Sequence, residues 1–238
     1  MSNILIVMSA ADVWERADGT AYPTGYWAEE LAAPHERFVR AGHTVDFASP
    51  GGVLQPLDRH SADPAIAGED CAHYVAHAQK ALSDFGPLLP LEDVDASAYD
   101  AIFLPGGHGP VVDLFEDRDL GRLLIAADHR NTVIGAVCHG PAALLSAVDD
   151  NGRWVFQGRR IAAFTNEEEE LFGTADNAPW LQADRLAEQG ARLEKGAPYE
   201  PFVIQDGNLF TGQNPASSGP LADAVNERLE ELRTSRGR

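Results

Sequence analysis

Cys138 and His139 stand side by side where an apolar run stops, in Thr132-Val-Ile-Gly-Ala-Val-Cys138-His139-Gly140-Pro141-Ala-Ala-Leu-Leu. Val133 to Val137 reads as a buried strand. Pro141 and the Ala-Ala-Leu-Leu-Ser-Ala behind it read as the start of a helix, since proline is favoured at the first helical position. A cysteine on the corner between strand and helix, with Ala136 and Gly140 two places either side, has the spacing of a nucleophile elbow. Small neighbours let the chain turn sharply and hold the side chain in a cleft. A helix N-terminus behind the sulfur would favour the thiolate, the reactive form. A free cysteine packed as a small hydrophobe is the competing reading. The elbow spacing and the adjacent histidine favour a nucleophile.

A thiol nucleophile needs a base, an acid to orient that base, and donors for a developing oxyanion. His139 can take the thiol proton if its ring folds back toward the sulfur, and an acid must then fix its tautomer. The run Glu167 to Glu170 follows the next apolar segment and offers such an acid, although acids are also common at a solvated helix start. Glu29 and Glu30 supply a second carboxylate, and near the sulfur Glu30 would hold its proton and suit a proton shuttle. Pro105-Gly-Gly-His-Gly-Pro110 lacks the spacing of a dinucleotide fingerprint or a P-loop. After a strand, the amides of Gly106 and Gly107, with that of His139, could face an oxyanion, and His108 could line the pocket. No Cys/His cluster has structural zinc spacing; His73, His77, His108 and His139 could combine in space, with His73 and His77 at i, i+4 a possible ligand pair, but no metal is expected.

The elements that must position these groups alternate between strand and helix. Asn3 to Ser9, Thr44 to Ser49, Tyr99 to Leu104 and Val133 to Val137 read as central parallel strands. Tyr26 to Ala41, with Pro34 expected to kink it, Glu69 to Leu82, Leu114 to His129, Trp180 to Gln189 and Leu221 to Leu232 read as helices. Ala10 to Gly25 and Leu57 to Ala67 read as loops, and Asp149 to Gly158 as an excursion with a hairpin. Arg160 to Thr165 reads as a further strand, and Phe202 to Thr211 as a hairpin about Asp206-Gly-Asn. The pattern predicts an α/β fold with a doubly wound, mostly parallel sheet sandwiched by helices, and active sites of such sheets lie beyond the carboxyl ends of the strands.

The bulk numbers limit the partners. The 238 residues suit a single domain over 1–238 with no linker, and 37 acids against 18 Lys and Arg give a formal charge of −19. That balance argues against nucleic acid and anionic membranes as partners. Two cysteines, Cys71 and Cys138, are no disulfide framework. The first residues read as a strand rather than a signal peptide, and no run of 18 apolar residues occurs, so a cytoplasmic protein is expected.

These motifs, in this order, resemble a known family. Thr24-Gly-Tyr-Trp-Ala-Glu-Glu30-Leu-Ala-Ala-Pro34, Ala48-Ser-Pro-Gly-Gly with Pro56, Asp58 and Ser61, Leu104-Pro-Gly-Gly-His-Gly-Pro110, Val137-Cys-His-Gly-Pro141, Phe164-Thr-Asn-Glu and Thr211-Gly-Gln-Asn-Pro-Ala-Ser217 are similar to the PfpI-type superfamily with the class I glutamine amidotransferase-like fold. Within it they resemble the heat-shock chaperone branch of glutathione-independent glyoxalase III. The resemblance implies a flavodoxin-like sandwich and a cofactor-free lyase of the D-lactate dehydratase class that turns methylglyoxal into lactate. It implies Cys138 as nucleophile, His139 as partner, Glu30 beside the sulfur, Glu169 as the third member with Glu168 as its rival, and Gly107 with the His139 amide as oxyanion donors. A homodimer is usual in the superfamily. Related activities are a cysteine hydrolase or deglycase, and a holding chaperone whose cysteine senses redox state.

Overall fold

The computed structural model describes residues 1–236. Seven strands form the main sheet: β1 (Asn3–Val7), β2 (Thr44–Ser49), β3 (Leu89–Pro90), β4 (Ala101–Leu104), β5 (Val133–Val137), β6 (Val203–Asp206) and β7 (Leu209–Gly212). Their order is β6-β7-β5-β4-β1-β2-β3. Every neighbouring pair is parallel except β6 with β7, the hairpin expected at Asp206-Gly-Asn.

Both faces of the sheet are covered, which is why its central strands are continuous apolar runs. Leu5, Val7, Ile102, Leu104 and Ile134 pack on one face with Leu120, Leu123 and Leu124 of α3 (Arg118–His129). Ile4, Ile6, Phe103, Val133 and Val137 pack on the other. There they meet Leu31 and Phe38 of α1 (Ala28–Arg40), Ala78 of α2 (Cys71–Phe85) and Leu221 of α6 (Ser218–Arg236). Two shorter helices, α4 (Asn166–Phe172) and α5 (Gln182–Glu188), lie between β5 and β6 in the chain.

Several local expectations are corrected. The helix expected from Pro141 is a seven-residue 3-10 turn, Gly140–Ser146. An α-helix would need the Ala142 amide to reach the Cys138 carbonyl. That carbonyl instead accepts Phe164 N–H at 3.0 Å and Gln182 Nε2 at 2.7 Å, so Ala142 bonds back to His139. The segment 149–158 holds turns and a single Val148–Trp154 bridge rather than a hairpin. Trp154 is buried and donates its indole N–H to Leu144 at 2.7 Å, pulling the chain into the core. The strand expected over 160–165 shrinks to Arg160–Ile161, paired with Arg192–Leu193 outside the main sheet. The helix expected over 114–129 breaks at Asp117, whose side chain caps α3. The loop of 10–25 folds into a small hairpin, Val13–Glu15 with Ala21–Pro23, and that of 57–67 into helical turns. α1 starts at Ala28 rather than Tyr26 and holds Pro34 inside its thirteen residues.

Candidate active site

β5 ends at Val137, and Cys138 takes a φ of +59°, the left-handed region that a non-glycine residue enters only when its surroundings hold it there. Its amide donates to Gly212 of β7 at 3.0 Å, and its carbonyl takes the two donors named above. Gly140 must be glycine because a Cβ there would lie 2.1 Å from the Leu104 carbonyl oxygen. The corner therefore projects the Cys138 side chain beyond the carboxyl end of β5, at the end where such sheets bind ligands.

His139 turns back along the sulfur. Its Nδ1 lies 3.4 Å from Sγ and its Nε2 lies 2.7 Å from Oε1 of Glu169. A carboxylate only accepts, so the proton sits on Nε2 and Nδ1 faces the thiol as an acceptor. Of the four acids in a row, the capping geometry of α4 selects one for this contact. Thr165 and Glu168 form a capping box. Oε1 of Glu168 also accepts from Tyr199 N–H, Gln213 and Asn214. Glu168 is thereby committed to structure, Glu167 pairs with exposed Lys195, and Glu170 faces solvent. Glu169 is left facing His139.

Glu30 lies in the first turn of α1 and is fully buried. Its Oε2 accepts the Gly106 amide at 2.7 Å, and its other oxygen has no conventional partner among the described residues. The carboxyl couples to the Cys138 thiol instead. A Cβ at Gly106 would come within 2.7 Å of both Glu30 Oε2 and the His139 nitrogen, so only glycine fits. The Gly106 amide is thus spent on Glu30 and is removed from the oxyanion set. The amides of Gly107 and His139 have no acceptor among the described residues, and both residues line the cavity.

Burial governs the protonation states. Burial, followed by the neighbouring Glu30, pushes the Cys138 thiol well above its ordinary value. Burial also lifts Glu30 to about 8, against the Gly106 bond that pulls it down. Burial and nearby His108 lower His139. Burial would raise Glu169 too, but His139 and His108 outweigh it and hold that carboxyl ionised. The site therefore rests at neutral pH as a thiol, a protonated Glu30, a neutral imidazole and an ionised Glu169. The expected preformed thiolate is corrected: a seven-residue 3-10 turn is a weak dipole, and burial among acids outweighs it.

His108 is buried between Trp14, at 4.7 Å between ring centroids, and His139, at 4.4 Å, with Nε2 3.6 Å from Glu169 Oε2. The donor atoms of His108, His139 and Glu169 lie within 4.8 Å of one another, a set that could hold a metal. His73 and His77 stand elsewhere, sharing Glu36 at 2.8 and 3.1 Å. Sequence reasoning missed three supporting residues. Gln182 clamps the elbow from α5 through Cys138 and Ala142. Thr174 donates to Glu169, and Trp14 backs His108. Their distance along the chain leaves no local signal. The Thr165-x-x-Glu168 pattern, by contrast, was readable.

A profile of the DJ-1/PfpI family matches residues 21–228. The glutathione-independent glyoxalase HSP31 of Saccharomyces cerevisiae is 31% identical, over 92% of this chain and 94% of that protein. The protein/nucleic acid deglycase HchA of Pseudomonas aeruginosa is 31% identical, over 90% of this chain and 76% of that protein. Among solved structures, the Rapid Encystment Protein of Francisella tularensis superposes with a TM-score of 0.83 at 30% identity, over 95% of this chain and 98% of that one. Among the described residues, no helix is long and apolar enough to cross a membrane.

Proposed function

The chain belongs to the DJ-1/PfpI family, and on that premise we propose that it is a glutathione-independent glyoxalase, a lyase converting methylglyoxal to lactate on Cys138. One arrangement above all supports this reading: a buried thiol on a left-handed corner, with an oriented imidazole on one side and a proton-holding carboxyl on the other.

The chemistry follows from those states. As the sulfur attacks the aldehyde carbon, the thiol proton passes to His139 Nδ1, and Glu30 protonates the aldehyde oxygen, giving a hemithioacetal. Ionised Glu30 then takes the C1 proton, and the imidazolium gives its proton to the oxygen on C2, leaving an enediol. Glu30 returns the proton to C2 while the C1 hydroxyl gives its proton to His139, forming a lactoyl thioester. Water attacks that carbonyl and cedes a proton to Glu30. The C–S bond breaks, and the sulfur recovers its proton from His139. The Gly107 and His139 amides receive the oxyanion of each addition. A group whose pKa lies near the working pH can both give and take the proton, which is what a shuttle requires.

The reading takes residues 1–238 as one domain acting as a homodimer in the cytoplasm, and ultracentrifugation tests the dimer. Rapid-quench mass spectrometry after mixing with methylglyoxal, without glutathione, tests the chemistry. The expected result is a lactoyl-sized adduct confined to the peptide holding Cys138, and an unmodified protein during turnover would overturn it. A deglycase would instead act on a preformed adduct of methylglyoxal with an amine. Consumption of such an adduct no faster than its spontaneous release of aldehyde favours the glyoxalase.

A further inference from the structure

A three-carbon aldehyde underfills this cavity. Its five heavy atoms occupy about the volume of three waters, ~90 Å³, and the cavity over Cys138 measures about 670 Å³. That volume is of the size that holds a larger organic ligand.

The spare space is walled by rings delivered from separate elements. Tyr22, on the strand Ala21–Pro23, lies parallel to His60, on the turn Arg59–Ala62, with centroids 5.8 Å apart. Phe172, the last residue of α4, stands edge-on to His60 at 5.9 Å. Trp27 meets Phe172 at 6.2 Å. The apolar surface continues outward to Ile66 and Leu171, which are 46% and 64% exposed. These rings touch one another, so a further ring would pack on the surfaces they turn to the cavity, stacked or edge-on. Trp27 is 8% exposed, and its indole N–H has no acceptor among the described residues.

Charge narrows the class. Among the described residues no Lys or Arg lines the cavity, whereas Glu29 does; buried Asp58 stands behind His60 with Oδ1 3.0 Å from Nδ1, and the Arg16 guanidinium, outside the lining, lies over Tyr22 at 4.2 Å from its centroid. An anionic substituent would meet Glu29 and Asp58, and Arg16, which does not line the cavity, would offset its desolvation only in part.

We propose that the site is built for 2-oxoaldehydes whose second carbon bears a neutral aromatic group, the aldehyde carbon at Cys138 and the ring among Tyr22, His60 and Phe172. This rests on the glyoxalase reading. The chemistry is the same sequence of additions and proton transfers, with water consumed and a 2-hydroxy acid released.

The test compares kcat/KM for phenylglyoxal, methylglyoxal and 4-carboxyphenylglyoxal without glutathione. Phenylglyoxal is expected to exceed methylglyoxal by about tenfold or more, mostly through KM, from the added apolar burial. The carboxylated analogue is expected to lose that advantage. In Phe172→Ala the phenyl-to-methyl ratio is expected to fall severalfold, and His60→Ala provides the same reading should that variant fold poorly. A wild-type ratio of one or less, a ratio unchanged in both variants, or full activity on the carboxylated analogue would overturn the proposal. If neither neutral aldehyde is turned over, the glyoxalase reading fails. Calorimetry with the unreactive ketones acetophenone and acetone then decides the cavity's preference: tighter acetophenone by about tenfold supports it, and equal binding sinks it.

Discussion

Oε1 of Glu169 lies 2.7 Å from Nε2 of His139, and that bond fixes which ring nitrogen faces the sulfur. With Nε2 holding the proton, Nδ1 stands 3.4 Å from Cys138 Sγ as an acceptor. In the proposed reaction, thiol activation thus depends on an acid 30 residues away in sequence, selected from four adjacent glutamates by the cap of α4.

Replacing Glu169 by Gln keeps the shape but lets the amide stabilise the wrong tautomer. Its kcat is expected to fall by about 10²- to 10³-fold, with little change in melting temperature. Glu168→Gln should do the reverse, costing about 1–3 kcal/mol of stability through lost buried hydrogen bonds with a much smaller loss of kcat. Steady-state kinetics and calorimetry on both variants separate the two roles. Equal kinetic losses would contradict the assignment.

Glu30 gives the fold a pH dependence whose sign can be stated. Its carboxyl titrates near 4.5 when unfolded and about 8 when folded. Between those values the native state binds more protons than the unfolded one, so this group makes stability fall as pH rises through that window. Urea unfolding at pH 5 and pH 8.5 should show the wild type losing several kcal/mol that Glu30→Gln does not lose. Turnover should likewise decline above about pH 8, where Glu30 no longer carries its proton at rest. An equal pH slope in wild type and variant would refute the burial argument.

Burial holds the thiol protonated, joined by the Glu30 charge once that acid ionises above about pH 8. Alkylation of Cys138 by iodoacetamide at pH 7 is expected to be slower than that of a free thiol, since only the thiolate reacts. At pH 9, where Glu30 is ionised, Glu30→Gln removes the neighbouring charge that helps push the thiol up, so alkylation of that variant should be faster than that of the wild type. Mass spectrometry over time reads both rates, and a slower variant would contradict the coupling.

Gly106→Ala tests the close approach behind the site. The added Cβ meets Glu30 Oε2 and the His139 nitrogen at 2.7 Å, so Glu30 must move off its amide partner. An activity loss of about 10²-fold or more is expected, with destabilisation of roughly 1–3 kcal/mol. Wild-type kinetics in this variant would show that the Glu30 position is not critical.

Much of this arrangement was legible because its signals are local. Val133 to Val137 is apolar throughout because both sheet faces are covered, and the small residues around Cys138 mark a corner that the φ of +59° realises. The hairpin at Asp206-Gly-Asn and the glycines after β4 were readable for the same reason. The 3-10 turn after the elbow was not, because its cause is Gln182 and Phe164 capturing the Cys138 carbonyl from distant segments. The proton on Glu30 was anticipated, but the state of the Cys138 thiol was misread because burial, which no local pattern reveals, outweighs the turn's dipole. The Glu167 to Glu170 choice lay between these cases, since Thr165-x-x-Glu168 already spells a capping box.

The most direct test of the central claim is lactate formation from methylglyoxal in the absence of glutathione, in wild type, Cys138→Ala and Glu30→Gln side by side. The account predicts lactate from the wild type, none above background from Cys138→Ala, and at least a thousandfold loss, roughly, in Glu30→Gln. No lactate from the folded wild type, or undiminished lactate from Cys138→Ala, would contradict it.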